Sequence, residues 1–198
     1  MQLLRGSELQ ERSSRRNWRL WEPQDVSVVL GRSSVAEQEV DLERCQRDAV
    51  AVRRRLGGGC SVVLAPGMVV FSVRSLRSIA GTIDEEFEHW TSMVADRLVR
   101  LGVTDLSVRG VSDLCIGERK IMGSCLYRSK DESWYEASLL VDADCDMLPR
   151  YLKTPVRMPA YRRARPHADF VTTLRQQGYA VRCDQVMSLV EEALADGE

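Results

Sequence analysis

The sequence predicts an α+β domain: a mixed β-sheet with helices packed against it. Three observations carry this prediction. Short apolar runs of strand length recur along the chain, several of them separated only by a tight turn. One long segment shows the three- and four-residue apolar spacing of an amphipathic helix. Strands and helices then alternate irregularly, without the even strand–helix repeat of a doubly wound fold and without any internal repeat.

Residues 1–17 are polar and charged with little periodicity, and are expected as a partly disordered segment ahead of a domain spanning 18–198. Trp18 to Trp21 resumes apolar character. Pro23 and Asp25 make a turn before Val26-Ser27-Val28-Val29-Leu30, a buried strand ending at Gly31. Residues 37–48 predict one short charged helix. Ala49-Val50-Ala51-Val52 reads as a strand, Arg53 to Gly59 as a glycine turn, and Val62-Val63-Leu64 as a second strand. Met68 to Val73 follows Pro66-Gly67 as another. The clearest helix runs from about Asp84 to Leu101: Ile83, Phe87, Trp90, Val94, Leu98 and Leu101 share one face. Thr82 with Glu85 forms a capping-box pattern and Gly102 a C-terminal stop. Three strands follow, at about Leu106–Arg109, Leu114–Ile116 and Tyr135–Val141. Two helices close the chain: one marked by Phe170, Val171 and Leu174 and ended by Gly178, the other marked by Val186, Leu189, Val190 and Leu194 with Asp184 as N-cap.

With 198 residues the chain suits one domain with a sizeable core. Its formal net charge of −1 argues against a general electrostatic binder of nucleic acid or membranes. No apolar run reaches the length of a membrane span, and the first residues lack the apolar core of a secretory signal. The six cysteines are scattered, with no CxxC pair, so a reduced, cytoplasmic chain is expected rather than a disulfide framework. With only His89 and His167 present, a zinc site is not expected.

Two segments carry chemistry. The first is Arg53-Arg54-Arg55-Leu56-Gly57-Gly58-Gly59. Glycines let a backbone approach a ligand and point bare N–H groups at it, and arginine supplies a permanent charged fork for phosphate or carboxylate. Together they point to a pocket for an anionic, phosphorylated small molecule; a basic surface turn is the plainer reading. The second runs from Asp113 to Cys125. A hairpin turn at Gly117-Glu118 puts Lys120 at the start of the returning strand, with the small residues Gly123 and Ser124 beside its ammonium group. Such a lysine is either a point charge for a ligand oxyanion or a solvated surface group.

Taken together and in order, these segments resemble the lipoate–protein ligase A family. Val28-Val29-Leu30-Gly31-Arg32 is similar to its opening strand. Val52 to Cys60 is similar to its Arg-Arg-x-x-Gly-Gly-Gly-Ala loop, and Gly110-Val111-Ser112-Asp113-Leu114 to its Gly-Arg-Asn-Asp-Leu segment. Arg119-Lys120-Ile121-Met122-Gly123-Ser124-Cys125 is similar to Arg-Lys-x-Ser-Gly-Ser-Ala, and Leu139 to Asp144 to a Leu-Leu-x-x-Ala-Asp strand end. The resemblance covers residues 18 to 153. It implies the catalytic-domain fold shared by lipoate ligases, octanoyltransferases and biotin ligases. It also implies ATP-dependent activation of lipoate as lipoyl-adenylate, with Mg2+, and transfer to a lysine of a lipoyl-carrier domain (the E2 of a 2-oxoacid dehydrogenase or the glycine cleavage H protein). Carried over, it assigns nucleotide and acyl binding to Arg54, Gly57, Gly58, Gly59, Cys60 and Ser61, and charge stabilisation to Lys120. It counts Asp113, Gly123 and Ser124, around that lysine, among the substrate- and ATP-binding residues.

The departures are specific. Glu136-Ala137 stands where the family has His-Gly, Leu56 where serine is common, and Cys60 and Cys125 where alanine is common. Only about 45 residues follow Lys153, too few for the C-terminal accessory domain of the large ligases: either a separate accessory subunit supplies that role, or adenylation is weak, or the chain is a divergent paralogue with an altered substrate. Two other readings follow from these departures: an ATP-independent octanoyl or lipoyl transferase working through a cysteine thioester, and a non-catalytic adenylate-binding paralogue. A biotin ligase is disfavoured because its Gly-Arg-Gly-x-x-Gly-Arg loop is absent.

Overall fold

The computed structural model describes residues 17–76, 81–155 and 157–196. Apart from Asn17, the expected polar N-terminal segment lies outside them. In chain order the strands are β1 (Trp18–Trp21), β2 (Ser27–Leu30), β3 (Ala51–Arg54), β4 (Val62–Leu64), β5 (Met68–Leu76), β6 (Leu106–Arg109), β7 (Asp113–Ile116), β8 (Arg119–Arg128) and β9 (Glu132–Leu140). The helices are α1 (Ala36–Glu39), α2 (Leu42–Arg47), α3 (Ile83–Arg100), α4 (Met147–Tyr151), α5 (His167–Phe170) and α6 (Cys183–Asp196), with a 3-10 turn at Ala160–Arg162.

Two sheets form. The larger is antiparallel throughout, in the order β1-β5-β9-β8-β7-β6, and the smaller is β3-β2-β4. Alternation along β9 divides the larger sheet into two faces. Tyr135 and Leu139 join Phe71, Met122 and Leu174 in a core that also takes Val94 and Leu98 of α3 and Val186 and Val190 of α6. Glu136 and Ser138 project to the opposite side, toward a cavity shared with the small sheet. A second core under the small sheet packs Val28 and Leu30 against Cys45 and Tyr151.

The long helix starts with the expected capping box: Thr82 accepts from the Glu85 N–H, and the Glu85 carboxylate accepts from the Thr82 N–H. Several expectations are corrected. Residues 37–48 form two helices, because the Asp41 side chain accepts from the Arg44 N–H and opens a new helix while Val40 bridges to Leu152. The strands either side of the triglycine do not pair with each other. Both flank β2, β3 in parallel and β4 antiparallel, so the loop crosses the end of β2 instead of closing a hairpin. Arg119 to Arg128 is one ten-residue strand that the sequence reading left unassigned beyond its start. The helix expected around Phe170 to Gly178 is only the single turn α5. Beyond it the backbone N–H groups of Thr172 and Leu174 bond to the Lys120 and Leu140 carbonyls, and strand ends replace the i−4 partners a helix needs. Asp184 is not an N-cap but lies in the first turn of α6. All six cysteines are free, and no helix among the described residues is long and apolar enough to cross a membrane.

Candidate active site

A cavity of about 650 Å³ opens between the two sheets. Strand β8 supplies its polar centre. The β7–β8 turn at Gly117 sets Lys120 as the second residue of the returning strand, opposite Cys115, and a bulge at Leu114/Cys115 offsets the register. Lys120 Nζ lies 2.6 Å from Asp113 Oδ1, and the Tyr161 hydroxyl donates to Asp113 Oδ2 at 2.6 Å. Burial, with the hydrogen bond to Asp113, pushes the Tyr161 hydroxyl well above its usual range, so it remains a donor. Tyr161 thus braces the carboxylate that aims the lysine. Gly123 leaves the space this arrangement needs, since a Cβ there would sit 2.5 Å from Lys120 Nζ. Beside it, Ser124 Oγ donates to Ser112 Oγ at 2.7 Å.

The triglycine loop forms the facing wall and is held from beneath. Arg55 is buried, and its guanidinium donates to the carbonyls of Gly58 and Cys60 at 2.7 and 2.8 Å. Across the planar, trans peptide the Gly59 N–H points away from Arg55. Glu39 holds the far end of the loop: its Oε2 accepts from Ser61 N and Oγ at 2.7 and 2.6 Å and from Ser34 Oγ at 2.8 Å. Burial pushes the Glu39 carboxyl up, but the Ser61 and Ser34 bonds outweigh it and the net shift is downward. Gly57 packs on β8, where a Cβ would meet Cys125 Sγ at 2.6 Å.

Of the ten residues singled out from the sequence, Gly58, Gly59, Cys60, Ser61, Asp113, Lys120, Gly123 and Ser124 line this one cavity, although Gly58 and Gly123 are 65 positions apart. Arg54 and Gly57 do not line it. Arg54 instead donates to the carbonyls of Gly31, Arg32 and Ser34, fixing the turn that follows β2. The resemblance puts Arg54 on the pocket side, with Arg53 and Arg55 on the other face by strand alternation, but the chain leaves the strand after Arg54 and Arg55 lines the cavity. Sequence reasoning also missed Glu39, Tyr161, Arg162 and His167. Tyr161 and Arg162 lie in the 3-10 turn, and nothing in the local pattern announces that a segment so far along the chain returns to Asp113.

His167 lines the cavity and is buried. Burial, reinforced by the charges of Arg162 and Lys120, lowers its pKa from 6.5 to about 4, so it is neutral at neutral pH. The unfolded chain therefore binds a proton that the folded chain refuses between those values. Stability is expected to fall as the pH drops from about 6.5 toward 4, by about 3 kcal/mol in all. Urea melts of the protein and of His167→Gln across this range test it: the variant is expected to lose that part of the slope, and parallel curves would contradict it.

The thiols are held protonated. Burial pushes Cys125 up to about 12 and raises Cys60 and Cys115. Among the described residues no group of three or more His, Cys, Asp and Glu side chains is placed to hold a metal ion. Glu39 and Asp113 already accept bonds from protein groups. The described residues therefore form no dedicated Mg2+ cage.

The family model of the lipoyl protein ligase A/B catalytic domain matches residues 3–195. The chain belongs to this family. Lipoate-protein ligase A subunit 1 of Thermoplasma acidophilum is 33% identical to this family member over 141 residues, 66% of this chain and 53% of that protein. The chain thus spans about half the length of that curated relative. Among solved structures, a bi-partite lipoate protein ligase studied with its E2 lipoyl domain, from the same organism, superimposes with a TM-score of 0.77 at 29% identity, covering 90% of this chain and 69% of that one. A lipoate-protein ligase A bound with ATP gives 0.74 at 28% identity, covering 90% and 71%. The mixed sheets with packed helices are the fold of these ligases.

Proposed function

We propose that this catalytic domain activates lipoate, or a related carboxylic acid, with ATP and passes the acyl group to a lysine of a lipoyl-carrier domain. The observation that carries the reading is the convergence of the Asp113-aimed Lys120 ammonium and the triglycine loop on one cavity. In the first step the acid's carboxylate attacks the α-phosphorus of ATP, the bond to the β-phosphate oxygen breaks, and pyrophosphate leaves. In the second the carrier lysine's amine attacks the acyl carbonyl, the amide forms, AMP leaves and the amine's proton is released. Lys120 offsets the negative charge that grows on the phosphate and then on the carbonyl oxygen, an effect strengthened in a site that excludes water. Asp113 and Tyr161 orient that charge before substrate arrives. The loop contributes backbone donors, held in place by Arg55 and Glu39, while Arg54 acts through the turn after β2. Magnesium would enter with the ATP phosphates, which commonly supply most of its non-water ligands.

The bi-partite relative supports a separate accessory subunit as a partner, and its E2 lipoyl domain supports a carrier of that type. Pyrophosphate exchange into ATP across a panel of carboxylic acids tests the first step. Exchange that depends on one acid is expected, whereas acylation of a carrier from a pre-acylated donor without ATP would favour the transferase reading. Because the acyl group rides on AMP, Cys60→Ala, Cys115→Ala and Cys125→Ala are each expected to retain carrier acylation. A dead cysteine variant, with an acyl-enzyme sensitive to hydroxylamine in the wild type, would overturn this.

A further inference from the structure

Glu136 is an ionisable side chain in the cavity wall that the proposed mechanism does not use. It sits at the middle of β9, directly opposite Cys125 on β8 and Ser72 on β5. On the same face of the sheet it is flanked by Ser138, with Val70 of β5 opposite that serine. The polar contact it makes is weak: the Cys125 thiol donates to Oε2 at 3.6 Å. Arg55 is the nearby cation, but its guanidinium is engaged by the Gly58 and Cys60 carbonyls. Burial pushes the Glu136 carboxyl up, with Arg55 pulling the other way. A carboxyl in such a place costs free energy unless something bonds to it.

Its distance from the reacting centre follows from the register. Gly123, against which the Lys120 ammonium rests, is opposite Ser138, and Glu136 is two residues further along the same face of β9. Two residues of strand span about 6.8 Å. An acid whose carboxyl group lies at Lys120 and whose chain runs along this face passes Glu136 several atoms from its carboxyl carbon.

We infer that Glu136 is a specificity-determining residue that selects acids carrying a hydrogen-bond donor, a hydroxyl or a thiol, part-way along the acyl chain over plain alkyl acids. The inference rests on the proposed acyl site but not on adenylation. A site built to bond a substrate hydroxyl discriminates strongly against the analogue lacking it, because its own polar group is left unpaired. A Glu136→Ala wall favours the plain chain.

The test is calorimetric binding, without ATP, of octanoate and of hydroxy-octanoates bearing the hydroxyl at successive carbons. These are measured on the wild type, Glu136→Gln and Glu136→Ala, with thermal melts to establish that each is folded. One hydroxy isomer is expected to bind wild type about tenfold or more tightly than octanoate. Glu136→Gln, which still accepts a hydrogen bond, is expected to keep part of that preference, and Glu136→Ala to lose or reverse it. Wild type binding octanoate at least as well as every isomer would overturn the inference, as would an unchanged preference in folded Glu136→Ala. Parallel pyrophosphate exchange separates the two ideas: a Glu136-dependent binding preference with no exchange removes the ligase reading and leaves the inference standing. Exchange with no Glu136-dependent preference does the reverse.

Discussion

Lys120→Ala is expected to lower carrier acylation by about 10²–10³ in rate while leaving the protein folded. The ammonium lines the cavity, and its ion-pair partner is Asp113. Removing it leaves Asp113 still bonded to the Tyr161 hydroxyl, so no carboxylate is stranded without a donor. The loss should therefore fall on turnover, with little change in melting temperature. Arginine is not expected to rescue it. A planar guanidinium is bulkier than an ammonium, and the space beside Gly123 is already filled by Nζ and Cε. Single-turnover acylation of a purified carrier domain decides the matter, and near-normal rates in a folded Lys120→Ala protein would remove the lysine from the mechanism.

The largest expected loss of stability is at Glu86. Its carboxylate is buried in the first turn of α3, where Oε1 accepts from Ser133 Oγ at 2.6 Å and Oε2 from Arg128 Nη2 and Nε at 2.8 and 3.1 Å. One side chain thus ties the long helix to both strands of the β8–β9 hairpin. Glu86→Ala leaves the half-buried Arg128 without its carboxylate and a fully buried serine hydroxyl without its acceptor. Breaking a buried pair in this way costs about 3–5 kcal/mol, much of the roughly 5–15 kcal/mol that holds a domain of this kind together. Urea denaturation should show it as a lower midpoint. Replacing both partners with apolar residues of similar volume, as in Glu86→Leu with Arg128→Met, should recover much of the loss. A single-variant cost under about 1 kcal/mol, the scale of an exposed pair, would contradict the account.

What the sequence made legible was set by how local each signal is. The α3 helix, its capping box and its glycine stop were readable because apolar spacing and cap chemistry act within a few residues. Lys120 at the head of β8 was readable because a glycine turn fixes a hairpin. The small sheet was not: whether β3 pairs with β4 or with β2 depends on contacts that no short window contains. The same limit hid Tyr161 and Glu39, which reach Asp113 and Ser61 from segments 48 and 22 positions away. The resemblance pointed to Arg54, whereas Arg55 lines the cavity, because strand alternation holds only while a strand continues and β3 ends at Arg54. Around Thr172 to Leu174 the apolar spacing resembled a helix, but the free ends of β8 and β9 claimed those backbone donors.

The brace between Asp113 and Tyr161 also orders events in time. A protein is made from its N-terminus, at about 5–20 residues per second. The triglycine loop and Lys120 emerge from the ribosome together with most of the large sheet, and at that stage the lysine's carboxylate partner has no tyrosine to hold it. Only when the 3-10 turn has been synthesised and has docked does the ammonium acquire its final aim. A nascent chain therefore carries Lys120 and Asp113 before it carries the tyrosine that fixes their geometry, and the arrangement waits on a segment about 40 residues further along.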